Sequence, residues 1–294
     1  MKSGFISLVG RPNTGKSTLV NQLMNQKVSI VTPTAQTTRN IIRGILTTDD
    51  YQLVFIDTPG IHQPKDEFGR LLNRQSFGSV EGVDLIYFVV DGSSYFGPQD
   101  QLVYDRLKDL DIPIFLVITK IDRLKKPELI SKITEFTEER TFAEIIPVSA
   151  LNQDNLDTLL KVSLNYLDEE GVLFFPENMV VDYQEQFMLA ELIREQVLFA
   201  MKDEIPHQIT CAVEHFVQHE DYVEISGLIL VQKESQKPMI LGKQGVMIKR
   251  IRQQAQRHMR KYLNKEVQLD LYVRVEKDWR NRSTKLESLG FENE

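Results

Sequence analysis

The sequence predicts two domains of different class: an α/β domain on a mostly parallel sheet and, behind it, a smaller α+β domain. Three observations carry this. "FISLV", "GRPNTGKST" and "LVNQLM" read as strand, glycine-rich turn and helix, and Gly10 to Ser17 fits G-x-x-x-x-G-K-[ST] in the context that motif requires. Continuous apolar runs separated by polar helical stretches then recur as far as Ala150, the pattern of a sheet covered on both faces. Past that point the pattern changes to alternating strands and to one tract, Lys237 to Lys265, with nine Lys or Arg and no Asp or Glu, in a chain of formal net charge -7.

In chain order, Gly10 and Gly15 permit a tight turn whose amides face phosphates, and the following helix starts with its positive end toward them. Lys16 reaches the outer phosphates and Ser17 offers a hydroxyl to magnesium, so Asn13, Thr14, Gly15, Lys16, Ser17 and Thr18 form the candidate nucleotide-binding turn. The Thr-rich loop from Ser29 to Arg43 can carry a threonine that completes magnesium coordination only when a third phosphate is present; Thr38 is favoured, with the adjacent Thr37 as its alternative. "YQLVFIDTPG" is a strand ending in Asp57, suited to a magnesium contact through water, with Gly60 offering an amide to the terminal phosphate. The strand "DLIYFVVDG", a helix from Gln99 to Lys108, the strand "PIFLVIT" ending in "TKID", and the strand-like "EIIPVSA" follow. Thr119, Lys120 and Asp122 read as base selection. A carboxylate accepts two hydrogen bonds from the N1 and N2 protons of guanine, for which adenine has no counterpart; Lys120 covers the ring, and the backbone of Ser149 and Ala150 bonds O6. The expected ligands are GTP or GDP with Mg²⁺, held as metal by Ser17, Thr38 and Asp57, with Lys16, Thr38 and Gly60 as the catalytic set.

Composition narrows the class. With 294 residues, 41% apolar and 26% charged, the chain is long enough for two cores and lacks the polar bias of disorder. The sole cysteine, Cys211, argues against a disulfide framework and a cysteine metal site, and His215 and His219 fall on a strand edge, which suits a surface role better than zinc. The amino terminus is too briefly apolar for a signal peptide and no segment approaches the roughly 20 apolar residues of a membrane span, so the cytoplasm is the expected compartment.

A helix around Leu156 to Leu167 runs into "DEEGVLFFPENMVVDY", where Gly171 and Pro176 act as breakers. The expected organisation is a first domain over 1–170, a linker over 171–182 tacked down by Phe174 and Phe175, and a second domain over 183–294. Leu189, Leu192, Ile193 and Val197 mark a helix docking on a sheet, followed by strands "QITCAVEHFV" and "YVEISGLILVQ", a short helix ending at Leu241, and the turn Gly242, Lys243, Gln244, Gly245. Val246 starts a longer helix, and "VQLDLYVRVE" closes the domain as an alternating strand. Asp66 and Glu67, in the segment after "DTPG", read as solvated charge.

In order, "GRPNTGKST", "AQTTR", "DTPG", "TKID" and "VSA" resemble the phosphate loop, the first switch, the start of the second switch, the guanine-specificity motif and the last base-binding turn of the translation-factor-related GTPases. With the glycine-x-x-glycine domain behind them, through "KDWR", they resemble more narrowly the Era GTPases of bacteria. The resemblance implies a P-loop GTPase domain followed by a type II KH domain. It implies GTP hydrolysis and a GTP/GDP switch acting on the 3′ region of small-subunit ribosomal RNA in the immature small subunit, in a mostly monomeric protein. In such a domain Gly242, Lys243, Gln244 and Gly245 clamp an RNA backbone, with Lys249 and Arg250 on phosphates. Trp279 and Arg280 add stacking or bonding to RNA, closure of the domain core being the alternative for Trp279. Asn13 resembles the asparagine that ligates potassium in related GTPases, which implies stimulation by K⁺. There are two departures from the family: Thr119 stands where it generally has Asn, and Thr14 occupies a phosphate-loop position that is commonly apolar, a variable one with little functional weight. In addition, Ile61 stands where Ras-like enzymes carry a water-orienting Gln. Ile has neither donor nor acceptor, so slow intrinsic turnover is expected. The competing readings are a membrane-associated signalling GTPase whose basic helix binds anionic lipid at the cytoplasmic face of the inner membrane, and an RNA-binding structural protein with negligible turnover.

Overall fold

A computed structural model of the chain describes residues 1–169, 171–203 and 205–291, and these fall into two compact units. The boundary expected at residue 170 and the end of the tail at 292–294 lie outside the described residues.

The first unit comprises Met1–Ser29, Thr38–Lys65 and Gly69–Asp182. Its elements are β1 (Lys2–Val9), α1 (Lys16–Leu23), β2 (Ile42–Thr47), β3 (Tyr51–Asp57), α2 (Glu67–Gly78, from Gly69 onward), β4 (Leu85–Asp91), α3 (Pro98–Leu107), β5 (Ile114–Thr119), α4 (Lys126–Thr137), β6 (Glu144–Pro147) and α5 (Leu156–Ser163). The sheet runs β2-β3-β1-β4-β5-β6, with β2 antiparallel to β3 and every other pair parallel, the mostly parallel sheet that the apolar runs predict. Alternation on β4 shows why those runs are continuous. Leu85, Tyr87 and Val89 enter one core with Leu19 and Leu23 of α1 and Leu159 of α5, while Ile86, Phe88 and Val90 enter the opposite core with Val103 of α3 and Phe136 of α4. Parallel pairing brings the carboxyl ends of β1, β3, β4 and β5 to one edge, so Val9, Asp57, Asp91 and Thr119 open on the same side, where such sheets bind ligands.

Residues 171–182 lie with this unit. The Val180 carbonyl accepts from Ile45 N–H at 2.8 Å, Arg43 pairs with Asp182 at 2.8 Å, and buried Gln52 accepts from the amides of Phe174 and Phe175 at 2.8 and 3.0 Å. Phe174 is 45% exposed and packs on Phe5 with ring centroids 4.7 Å apart, so hydrogen bonds, chiefly to Gln52, hold the segment more than aromatic burial does.

The second unit comprises Tyr183–Glu294 together with Ile30–Thr37 and Asp66–Phe68. It contains α6 (Glu185–Ala200), α7 (Ile205–Gln208), β7 (Ile209–Gln218), β8 (Tyr222–Val231), α8 (Lys237–Leu241), α9 (Val246–Leu263), β9 (Glu266–Val275) and α10 (Ser283–Ser288). β8 is antiparallel to β7 and parallel to β9. α6 and α9 cover one face of the sheet: Leu189, Ile193 and Val197 share a core with Ile251, Ala255 and Met259 over Ile225, Ile229 and Leu269. Among the described residues no helix is long and apolar enough to cross a membrane.

Candidate functional site

The turn after β1 is shaped by left-handed backbone at Asn13 (φ 63) and Gly15 (φ 99), after which α1 begins at Lys16. The Lys16 ammonium is buried and donates to the carbonyls of Gly10 and Arg11, each at 3.0 Å. Burial pulls its pKa down to about 8, and the Asp57 carboxylate offsets part of that. Thr14 is buried with its hydroxyl on the Arg11 carbonyl at 3.2 Å, and Thr18 sits half-buried in the first turn of α1.

Asp57 ends β3 with no exposed surface. Its Oδ2 accepts from the Ser29 hydroxyl at 2.9 Å, while Oδ1 has no partner among the described residues. Burial pushes its pKa up, against the lowering contributions of Ser17 and Lys16. Close by, Ser17 Oγ and Thr38 Oγ1 lie 2.7 Å apart. Two hydroxyls and a carboxylate with one unmet oxygen are the hard, all-oxygen set that suits Mg²⁺. The neighbouring Thr37 hydroxyl is engaged elsewhere, donating to the Thr34 carbonyl at 2.7 Å beside Thr32 Oγ1.

Gly60 touches the phosphate loop closely enough that a side chain there would meet Pro12 Cα at 2.6 Å. The Ile61 amide donates to Gly10 O at 3.1 Å, and the Ile61 side chain is fully buried in the apolar cluster beneath the sheet. The place after "DTPG" therefore presents no polar side chain.

At the base end, the Thr119 hydroxyl is 2.5 Å from Thr14 O and 2.9 Å from Val90 O, so it still ties the phosphate loop to β5 where an amide is the family pattern. Lys120 takes a left-handed backbone (φ 58), and its ammonium donates at 2.6 Å both to the Asn13 carbonyl and to Asp91. Asp122 is exposed, with Oδ1 accepting from the Ser149 hydroxyl at 2.6 Å; Ser149 and Ala150 are buried beside it. Thus Lys16, Ser17, Thr38 and Asp57 gather beside the phosphate loop that Gly60 touches, and Thr119 and Lys120 bond the same loop, with Asp122 and Ser149 paired next to them.

Three participants escape the sequence reading. Ser29 bonds Asp57. Asn21 holds the loop before it, accepting from the amides of Val28 and Ser29 at 2.9 Å and donating to Ser29 O at 2.8 Å. Asp91 pairs with Lys120. Only Asp91, at the end of the apolar strand "DLIYFVVDG", carried a signal.

In the second unit, α8 ends at Leu241 and the turn Gly242 to Gly245 leads into α9. Gly242 has φ 72, and a Cβ there would lie 2.6 Å from Met247 Cβ, so the turn tolerates only glycine at that point. Lys243, Gln244, Lys249 and Arg250 are exposed. Between α9 and β9 runs a groove of about 240 Å³ lined by Ile248, Lys249, Arg252, Asp270, Leu271 and Tyr272. Trp279 and Arg280 are not on this surface. Trp279 is fully buried, edge-on to Phe68 at 5.3 Å and stacked on Phe291, with its indole N–H on Gln208 O at 3.2 Å. Arg280 is 7% exposed and bonds Asp66 at 2.7 Å and the His207 carbonyl. This corrects the expectation that they contact RNA, and Asp66 is an ion-pair partner, not solvated charge.

Residues 5–120 match the family described as 50S ribosome-binding GTPase, and residues 204–280 match the KH domain. Over 100% of both chains, this chain is 36% identical to Era crystallised with MgGDPNP and nucleotides 1506–1542 of 16S ribosomal RNA, with a TM-score of 0.93. It is likewise 36% identical, over 100% of both chains and with a TM-score of 0.94, to an Aquifex aeolicus Era variant bound to GDP and AlF4⁻.

Proposed function

The chain belongs to the Era family of GTPases, and from that premise we propose that it uses its GTP/GDP switch to bind the 3′ region of small-subunit ribosomal RNA and assist maturation of the small subunit. Its ligands are GTP, GDP and Mg²⁺. The observation that supports the RNA half is the similarity, over the whole length, to an Era held on 16S ribosomal RNA, together with exposed Lys243 and Gln244 in the Gly242 to Gly245 turn and the α9–β9 groove. Four backbone units would lie across that turn, with Lys243, Lys249 and Arg250 on phosphates and bases over Ile248 and Leu271.

In the first unit the reaction is attack of water on the γ-phosphorus of GTP, giving GDP and phosphate. The Ser17 and Thr38 hydroxyls and, through water, the Asp57 carboxylate would hold Mg²⁺. That ion supplies positive charge to the phosphate oxygens when bound. Lys16 releases the Gly10 and Arg11 carbonyls to reach the outer phosphates, and the Gly60 amide meets the terminal one, so catalysis is electrostatic positioning. Asp122, pre-oriented by Ser149, reads guanine. Buried Ile61 cannot orient the attacking water, which makes intrinsic turnover slow and leaves room for stimulation by K⁺ at Asn13; equal GTP turnover in K⁺ and Na⁺ would count against that site.

The test is binding of a short RNA with the 3′-terminal small-subunit sequence to the intact chain, with a non-hydrolysable GTP analogue and then with GDP. Sequence-selective binding that is tighter in the GTP state supports the proposal. Binding only to anionic liposomes, lost with salt, would favour the lipid reading of α9 instead.

A further inference from the structure

We propose that Ser29, held in place by Asn21, is a positioning residue for Asp57 and thereby sets the affinity of the nucleotide site for Mg²⁺. The inference rests on the reading of Asp57 as the magnesium carboxylate, and every residue it uses belongs to the first unit. Asp57 and Ser29 are both buried, at 0% and 1% exposure. A buried carboxylate needs partners on both oxygens. Asp57 has one on Oδ2, the Ser29 hydroxyl at 2.9 Å, and none among the described residues on Oδ1. The same carboxylate lies close enough to the Ser17 and Thr38 hydroxyls for both to act on it, so the unmet oxygen belongs to an all-oxygen set that suits a hydrated cation. A carboxylate left to itself turns broadly about its Cβ–Cγ bond. With Oδ2 tied to Ser29 that turn is blocked, and Oδ1 stays available to the water of the metal.

The tie is only as firm as Ser29 itself, and one side chain fixes that residue. Asn21 Oδ1 accepts from the amides of Val28 and Ser29, each at 2.9 Å, and Nδ2 donates to the Ser29 carbonyl at 2.8 Å. Both backbone polar groups of Ser29 are thus held by Asn21, while Val28 is buried in the core with Leu19 and Val20 of α1. Asn21 stands on α1 one turn after Ser17, so the two share a face of one helix. That helix therefore carries the hydroxyl offered directly to the metal and, one turn on, the side chain that aims the carboxylate through Ser29. A buried serine in search of an acceptor accounts for the Ser29 hydroxyl, yet not for an Asp57 Oδ1 that is buried and unmet. Loss of a group that orients a metal ligand typically lowers metal affinity about 10- to 100-fold, and the lower end applies to a carboxylate that acts through water.

The assay is release of a fluorescent GDP from the intact chain across a series of free Mg²⁺ concentrations, because bound metal ties the phosphates to the protein. GDP lacks the third phosphate, so Thr38 does not enter. Ser29→Ala removes one oxygen and should raise the Mg²⁺ concentration for half-maximal slowing about tenfold, with release in excess EDTA within about twofold of the parent's. Asn21→Ala should move the same midpoint in the same direction. The double variant Ser29→Ala, Asn21→Ala should move it no further than Ser29→Ala alone, since Asn21 acts through Ser29; additive shifts would overturn that route. Circular dichroism and a thermal melt check folding, and Ser29→Cys, which keeps the size and weakens the donor, is read in the same way if Ser29→Ala does not fold. A merely structural role would speed release with and without Mg²⁺ and leave the midpoint where it was, which overturns the inference. Asp57→Asn is the reference. If it moves the midpoint and the Ser29 variants do not, the inference is overturned alone; if Asp57→Asn also leaves it unchanged, the reading of Asp57 falls with it.

Discussion

Gly60→Ala perturbs the sensing of the third phosphate with one methyl group. A Cβ at this position lies 2.6 Å from Pro12 Cα and 2.7 Å from Pro12 N, where ordinary contact begins at 3.4 Å. The "DTPG" turn and the phosphate loop must therefore part by about 0.8 Å, and neither swings freely. Ile61 N–H is held on Gly10 O at 3.1 Å, and the Thr58 hydroxyl is held on Leu8 O at 2.6 Å. An amide that starts about 2.9 Å from a phosphate oxygen then ends near 3.7 Å, beyond hydrogen-bonding range. A lost hydrogen bond to a charged acceptor costs about 1.5–3 kcal/mol, or roughly ten- to a hundredfold in affinity. GDP lacks the terminal phosphate, so its affinity should change by less than about threefold, and the selectivity lost is the difference between the two. Displacement of a fluorescent nucleotide by a GTP analogue and by GDP in Mg²⁺, with a thermal melt as folding control, measures both. A folded variant whose GTP-analogue-to-GDP ratio stays within twofold of the parent's would refute a Gly60 amide on the γ-phosphate.

Asp122→Asn should lower GTP affinity at least about a hundredfold, because an amide cannot accept both guanine protons; it should also gain binding of xanthine nucleotides, as nucleotide competition can show. The pair Lys243→Glu, Lys249→Glu should weaken RNA binding and reduce the slope of log affinity against log salt by about 2, with nucleotide binding unchanged; filter binding across a salt series checks both. Trp279→Ala should cost about 3–5 kcal/mol in urea unfolding, whereas Trp279→Phe should leave RNA affinity within about twofold, since the ring is buried against Phe68 and Phe291. Burial pushes the Asp91 carboxyl up, but the Lys120 hydrogen bond and charge, with Ser93, outweigh it and hold the pKa below 3.8. A folded pKa below the unfolded one stabilises fully above that range and loses its effect as pH falls through the folded value. Asp91→Asn should therefore be less stable than the parent at pH 7, and the gap should close below about pH 3.8 in unfolding titrations.

The nucleotide site was largely legible because its residues sit at strand ends in a fixed order, and the parallel sheet turns that order into proximity. Asp57 and Thr119 end the strands β3 and β5, Lys16 and Ser17 open the helix after β1, and Asp122 follows just beyond β5, which is the order the sequence displays. Thr37 and Thr38 could not be separated from spacing, since neighbouring hydroxyls share their chemistry; what distinguishes them is contact, Thr37 with Thr34 and Thr32, Thr38 with Ser17. For Trp279 the sequence leaves RNA stacking and core closure open, and the structure agrees with core closure; neither this nor the burial of Arg280 shows locally, because the partners are remote in sequence, Asp66 lying 214 residues from Arg280. No local pattern marks such a pair. The segment 171–182 looked like a linker from its Gly and Pro, while the residue that ties it down is Gln52, a polar side chain inside an apolar strand. The bonds of Ser29 and Asn21 are likewise invisible to periodicity, because each reaches a group chosen by the fold.

Crosslinking the intact protein to RNA in cells, in GTP-locked and GDP-bound states, tests the central claim most directly. The proposed function predicts enrichment of the 3′ region of small-subunit ribosomal RNA, stronger in the GTP-locked state. No enriched ribosomal RNA in either state would contradict it.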